Sequence, residues 1–121
     1  MWSHVVMIWL LFCRAVAKSK AMKAKYYATV MSVVTDLTDL TENEILHGKR
    51  TMEVVDARWL AVRLMRDIGL YPFQIAEVME MTVRSVQYIL NNFDDRMKFG
   101  DAMLKIYVQM AKKRLGNTNE V

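Results

Sequence analysis

Apolar residues recur every three or four positions along most of this chain, and that spacing predicts helices. A first helix is predicted over residues 23–38, where the apolar positions from Tyr26 to Leu37 keep this period. No segment alternates polar and apolar residues for long enough to indicate a sheet. We therefore expect an all-α bundle of about five to six helices that contains a helix-turn-helix.

Local signals place the ends of the next two helices. Thr41 followed by Glu44 forms a capping box that starts a short helix over 42–47, and Gly48 closes it. A longer helix follows the basic pair Lys49-Arg50 and ends at Gly69. Its buried stripe is predicted to be Val54, Val55, Ala57, Leu60, Ala61, Leu64, Met65 and Ile68.

Three more helices are expected in the second half of the chain. Pro72 suits the first turn of a helix over 72–79, and Thr82 is a good N-cap for a helix that reaches about residue 92. Asp94 or Asp95 can cap the last helix, which Gly100 should weaken early.

Residues 1–21 differ in composition from the rest of the chain. The nine apolar residues from Val5 to Cys13 are far fewer than the ~20 that cross a bilayer, and no positive region precedes them as in a secretory signal. Three interpretations stay open: upstream sequence translated before a true start at Met22, a poorly ordered or partner-bound helix, and a membrane anchor. We expect the domain to span 22–116 and residues 117–121 to form a frayed tail.

Composition limits the classes of function. A chain of 121 residues is long enough for one domain with one modest core, and its net charge of +4 mildly favours a polyanionic partner. With only Cys13 and two histidines, a disulfide framework and a metal cluster are not expected. No set of acid, base and nucleophile is visible, so we expect neither a cofactor nor enzyme activity.

The segment from Gln74 to Leu90 has the spacing of a helix-turn-helix. The small Ala76 lets two helices approach closely, although an ordinary helical hairpin would have a similar pattern. Glu80 stands where such turns usually carry glycine, which suggests a tighter or reshaped turn. The outward-facing side chains of the second helix offer phosphate and base-edge chemistry: Thr82, Arg84, Ser85, Gln87 and Tyr88.

Three motifs together point to a family. A short helix that ends in a basic loop at 48–51 is followed by VVDARWLAVRLMRDI, and then by IAEVM and SVQYIL. In these features residues 25–111 resemble the C-terminal DNA-binding domain of the bacterial chromosomal replication initiator DnaA. The basic loop joined to VVDAR is the most specific feature, because generic helix-turn-helices lack it. The resemblance implies an all-α fold that binds double-stranded DNA.

The resemblance assigns roles to individual positions. Arg50 falls at an arginine that enters the minor groove, and Arg58 and Arg66 fall at basic residues that contact phosphates. Residues 82–85 fall at the start of the recognition helix, where the family reads bases with an Asp-His-Thr-Thr signature. Of that signature only the hydroxyl of Ser85 survives, and more loosely that of Thr82, while Glu80-Met81 replaces a Gly-Gly turn with one residue fewer. The residues predicted to contact DNA are Lys49, Arg50, Arg58, Arg66, Tyr71, Thr82, Val83, Arg84, Ser85, Gln87 and Tyr88.

The expected function is sequence-specific binding of double-stranded DNA by a cytoplasmic regulator, mobile-element protein or replication accessory factor. An ATPase is not expected, because Asn43 stands where a phosphate-binding loop would need glycine. A homo-oligomer or a replication or regulatory protein partner is possible, and membrane association is not expected. Two alternatives stay open: a protein-interaction module that keeps the fold without binding DNA, and a membrane-tethered regulator that depends on residues 1–21.

Overall fold

The computed structural model describes residues 22–100 and 102–119, so the predicted leader at 1–21 lies outside the described residues. Within these ranges the chain forms six helices and no strand, which confirms the predicted all-α bundle. No described helix combines the length and apolar composition that a membrane crossing requires. The helices are α1 (22–38), α2 (Glu42–His47), α3 (Met52–Ile68), α4 (Pro72–Val78), α5 (Val83–Phe99) and α6 (Ala102–Asn119).

Helix α3 lies at the centre of the bundle and contacts α2, α4, α5 and α6. Its side chains Leu60 and Met65 are completely buried, and Ile89 and Phe93 of α5 belong to the same apolar cluster. Burying a side chain of this size stabilises the fold by about 1.5–3 kcal/mol, so the packing of α5 on α3 is well determined. The cluster also includes Val30 and Val34 of α1, Ile45 of α2, Ile75 of α4 and Leu104 of α6.

The predicted helix starts are confirmed by their capping hydrogen bonds. Thr41 Oγ1 accepts from the Glu44 backbone N–H at 3.2 Å, and the Glu44 carboxylate accepts from the Thr41 N–H at 3.2 Å. Thr82 Oγ1 accepts from the Ser85 N–H at 3.1 Å and so caps α5. At the end of α2 a Cβ on Gly48 would collide with the carbonyl oxygen of Glu44, so the connection to α3 needs glycine at this position.

The boundary between the last two helices differs from the prediction. The sequence suggested a helix end at Asn92 and a new cap at Asp94 or Asp95, but α5 continues through all three positions. The prediction was wrong because Phe93, only 1% exposed, extends the buried stripe of α5 and favours continuation of the helix. Gly100 therefore caps the C-terminus of α5 and does not lie within the last helix.

Helix α6 continues to Asn119, so helical structure extends into the segment that we expected to be a frayed tail, while the domain end at residue 116 stays a prediction. The preceding turns of α6 are held against the core by Leu104, Val108 and Ala111, all of which are buried. Once a helix is fixed in this way, each added residue gains one backbone hydrogen bond and propagation costs little.

Candidate nucleic-acid interface

Helices α4 and α5 pack against each other across a three-residue turn at 79–81, which precedes the N-cap Thr82. Met79 is buried beneath the turn, and the Met81 N–H donates to the Ala76 carbonyl at 2.9 Å. Glu80 has φ of 55°, in the left-handed region that favours glycine. The turn therefore keeps a left-handed residue at the expected position although that residue is not glycine.

A contact between two side chains joins this turn to the end of α2. Nε2 of His47 lies 2.6 Å from a carboxylate oxygen of Glu80. Both side chains are more than half exposed, so the pair contributes little stability by itself. The contact connects the turn between α4 and α5 to the end of α2, which leads directly into the basic loop at 48–51.

The first three turns of α5 expose a continuous polar face. Val83, Arg84, Ser85 and Gln87 are exposed, and no acidic side chain occurs before Asp94. Ser85 is partly engaged locally, because its hydroxyl accepts a hydrogen bond from Thr82 Oγ1 at 2.8 Å. The remaining side chains on this face can approach a ligand from the solvent side of the helix.

Asn91 extends this face, and the sequence analysis missed it. It is exposed, and it lies one helical turn beyond Gln87 and two turns beyond Arg84. That spacing was visible in the sequence. The helix predicted to reach about residue 92 already contained Asn91, but only positions up to Tyr88 were assigned to its outward face.

Arg58 is held by the end of α2. Its Nε donates to the Ile45 carbonyl at 3.0 Å and its Nη2 to the Leu46 carbonyl at 3.4 Å. Burial lowers the pKa of Arg58 below its usual value, and the nearby charge of Arg50 lowers it further. Arg58 therefore satisfies carbonyl groups of α2 and places its positive charge close to that of Arg50.

The basic loop, α3 and α5 line a groove of about 410 Å³. Arg50 comes from the loop, Arg58 from the first half of α3, and Arg84 from the start of α5. The structure thus brings three predicted site arginines to one place from three different elements. The other lining residues are Val55, Met81, Ser85, Tyr88 and Ile89.

The floor of the groove is largely apolar. Val55 and Ile89 were expected only in the core, yet both also line the groove beside Met81. Val55 is half-buried, so one edge of its side chain packs inward while another edge faces the groove. Periodicity in the sequence separates core from surface positions, but it gives no indication that a residue lies at the border between them.

Tyr88 packs against an aromatic side chain of α3. Its ring meets that of Trp59 edge to face, with 6.1 Å between the centroids. The guanidinium carbon of Arg96 lies 4.9 Å from the centroid of Trp59, and Arg96 also pairs with the nearly buried Asp56. Helix α3 thus supports the aromatic wall of the groove.

The other predicted site residues lie outside the lining of this groove. Lys49 is exposed on the basic loop, and Thr82, Val83 and Gln87 are exposed on α5. Arg66 and Tyr71 lie where α3 ends and α4 begins, with the Arg66 guanidinium 5.9 Å from the Tyr71 ring. The Tyr71 ring also stacks on Phe73. The arrangement therefore contains one convergent cluster and a separate basic-aromatic patch.

The described residues contain no group of three or more His, Cys, Asp or Glu side chains that could hold a metal ion. No protein-family model, curated protein or solved structure matches the chain. The chemistry of the groove and of the exposed face of α5 is therefore the basis for assigning a function.

Proposed function

We propose that this protein binds double-stranded DNA without catalysing a reaction. The start of α5 enters the major groove, Arg50 reaches the adjacent minor groove, and Arg58 lies nearest the phosphate backbone. The protein acts in the cytoplasm as a replication accessory factor or transcriptional regulator. In this proposal, helices α4 and α5 act as a DNA-binding domain of the kind that the sequence resembles in the replication initiator.

The convergence of three arginines at one groove is the observation that carries this proposal. Arg50, Arg58 and Arg84 come from a loop and two helices, so their proximity is a property of the fold. Like charges held close together repel each other, and the effect of Arg50 on the pKa of Arg58 reflects that repulsion. A polyanion placed across the groove would relieve the repulsion and release its own counterions.

The exposed face of α5 supplies groups that can read bases. Arginine binds guanine O6 and N7 through two hydrogen bonds, and glutamine and asparagine pair similarly with adenine. Arg84, Gln87 and Asn91 present these groups on successive turns. Because α5 carries no acidic side chain before Asp94, no carboxylate on this face would repel the DNA phosphates.

The apolar floor of the groove is also compatible with DNA. Apolar side chains contact the thymine methyl group and the hydrophobic parts of the sugar. Val55, Met81 and Ile89 supply such a surface between the arginines. Tyr88 adds a hydroxyl group that can donate to a phosphate oxygen.

Binding of a fluorescent random-sequence duplex at two salt concentrations tests the proposal. The full chain should bind at low salt, and its affinity should fall steeply as salt rises, because each neutralised phosphate releases counterions. Arg84→Ala should weaken binding. Lys105→Ala is the matched control, since it removes an equal charge from the exposed surface of α6, outside the groove.

A second candidate is a protein-interaction module that keeps the fold without binding DNA. Glu80 favours it, because this residue places a carboxylate at the turn directly before Met81 of the groove. Absence of duplex binding even at low salt would select this second function over the first.

A further inference from the structure

The start of α4 exposes two neighbouring aromatic rings. Tyr71 is 59% exposed and Phe73 is 62% exposed, and their rings stack almost parallel with 6.0 Å between the centroids. We call them the α4 aromatic pair. Single exposed apolar residues are ordinary, whereas adjacent aromatic rings form a patch that another segment can cover.

Contacts of α1 with α4 and the turn after it show where the preceding chain leaves the bundle. Nζ of Lys23 lies 2.9 Å from a carboxylate oxygen of Glu77 on α4. Tyr27 lies one turn later in α1. Burial and the Glu42 carboxylate raise the pKa of Tyr27, and the charge of Glu80 raises it further, so Glu80 lies close to this phenol. One turn towards the N-terminus of α1 therefore corresponds to about one turn towards the N-terminus of α4.

The next turn of α4 in that direction carries Phe73. Phe73 precedes Glu77 by four positions, so the two side chains lie on the same side of α4. Because Lys23 reaches Glu77, the chain that precedes Met22 leaves α1 beside the α4 aromatic pair. Met22 is 41% exposed, so this exit lies at the surface.

The segment that leads into α1 is apolar and long enough to return to the pair. Its nine apolar residues run from Val5 to Cys13 and include Trp9 and Phe12. The chain between Cys13 and Met22 can span up to about 30 Å when extended. The pair begins only one helical turn, about 5.4 Å, beyond Glu77.

We infer that residues 5–13 pack on the α4 aromatic pair of their own chain. The short connection holds the apolar run near the pair at an effective concentration of roughly millimolar, so even a weak apolar contact persists. A second copy or a separate protein would in addition lose translational and rotational freedom on binding. The inference is independent of DNA binding, because neither ring of the pair lines the groove.

The thiol of Cys13 provides a direct test, because it is the only cysteine of the chain and ends the apolar run. The rate of its reaction with Ellman's reagent is measured on the full chain. Tyr71→Ser with Phe73→Ser removes the α4 aromatic pair, and serine keeps a good N-cap at position 71. Cys13 should react at least about tenfold faster in this double variant, as expected when the run is docked in about nine chains of ten.

Tyr88→Ser is the matched control. Tyr88 is 61% exposed, as much as either ring of the pair, but it lies on α5 at the groove. Its loss should leave the reaction rate of Cys13 unchanged. Far-ultraviolet circular dichroism verifies that each variant keeps its helices. The wild-type rate should also be independent of protein concentration, because the run and the pair belong to one chain.

Three results would overturn the inference. The first is a Cys13 rate in the wild type equal to that in the double serine variant, and the second is an equal acceleration by Tyr88→Ser. The third is protection of Cys13 that disappears on dilution, because a second copy would then supply the covering surface. Protection that arises only after lipid vesicles are added would likewise assign residues 5–13 to a membrane and contradict docking on α4.

Discussion

A carboxylate oxygen of Asp56 on α3 lies 2.7 Å from Nη2 of Arg96 on α5 and also accepts from its Nε at 2.8 Å. The Asp56 side chain is 8% exposed, so the pair is mostly removed from water. Arg96 lies over Trp59, and Trp59 contacts Tyr88. This ion pair therefore joins the two helices of the candidate interface and supports the aromatic wall of its groove.

Asp56→Asn should lower the free energy of unfolding by about 1–3 kcal/mol, because Arg96 loses its charged hydrogen-bond acceptor. Urea denaturation measures the change. Asp67→Asn is the control: Asp67 forms a more exposed pair with Arg63 at 3.3 Å, and its loss should cost less than about 0.5 kcal/mol. Equal losses in the two variants would contradict a special role for the Asp56–Arg96 pair.

The left-handed backbone of Glu80 allows a second prediction. Glu80→Gly and Glu80→Ala both remove the contact with His47, but only glycine adopts φ of 55° without a steric cost from Cβ. The glycine variant should therefore be more stable than the alanine variant by about 1 kcal/mol. Thermal melts of the two proteins measure this difference.

The same two substitutions at Gln87 provide the control. Gln87 lies exposed in the interior of α5, where glycine is less favourable than alanine by about 1 kcal/mol. The order of stability should therefore be reversed. The same order at both positions would show that the turn does not impose the left-handed conformation.

Features determined by neighbouring residues were predictable from the sequence. Thr41 with Glu44 and Gly48 define both ends of α2 within a span of eight residues. Most of the buried stripe of α3 follows from period, although Val62 and Asp56 are buried without having been predicted and Val55 and Ile68 are only half-buried. The pairing of α4 with α5 follows from the apolar positions around Ala76. These features depend on contacts within a few residues along the chain.

Features determined by distant contacts were not predictable in this way. The continuation of α5 past Asn92 depends on the burial of Phe93 and on Arg96 reaching Asp56, which lies forty residues earlier. Arg58 also donates a hydrogen bond to the carbonyl of Ile45 in α2, and this contact between helices could not be predicted from neighbouring residues. For the site, the sequence indicated which residues are basic and exposed, while only the fold brings them to one groove.

The pKa of Tyr27 gives the stability a specific dependence on alkaline pH. Burial raises this pKa, and the hydrogen bond from the Tyr27 hydroxyl to the Glu42 carboxylate raises it further. The folded chain therefore keeps the phenol proton at pH values where the unfolded chain has lost it. This contribution is fully present below the ordinary tyrosine pKa of about 10, and it declines as pH rises past that value.

Tyr27→Phe should remove this contribution to the pH dependence. The free energy of unfolding of the wild type should fall more steeply above about pH 10 than that of the variant. Urea denaturation at a series of alkaline pH values measures both slopes. Tyr71→Phe, which removes a more exposed tyrosine, should keep the wild-type slope, and a Tyr27→Phe slope equal to the wild type would contradict the assignment.

Arg84 and Arg58 should differ in their effects on DNA binding and on stability. Arg84 is exposed at the start of α5, so Arg84→Ala should cost about 1–3 kcal/mol of binding free energy on a preferred duplex and relax base choice there. Arg58→Ala should weaken all duplex sequences about equally, because a phosphate contact carries no direct sequence information. Arg58→Ala should also lower the melting temperature, since the α2 carbonyls of Ile45 and Leu46 lose their donor.

Selection of bound duplexes from a random pool, followed by anisotropy titrations and thermal melts, separates these effects. If the two variants change base preference in the same way, the proposed docking of α5 in the major groove is wrong.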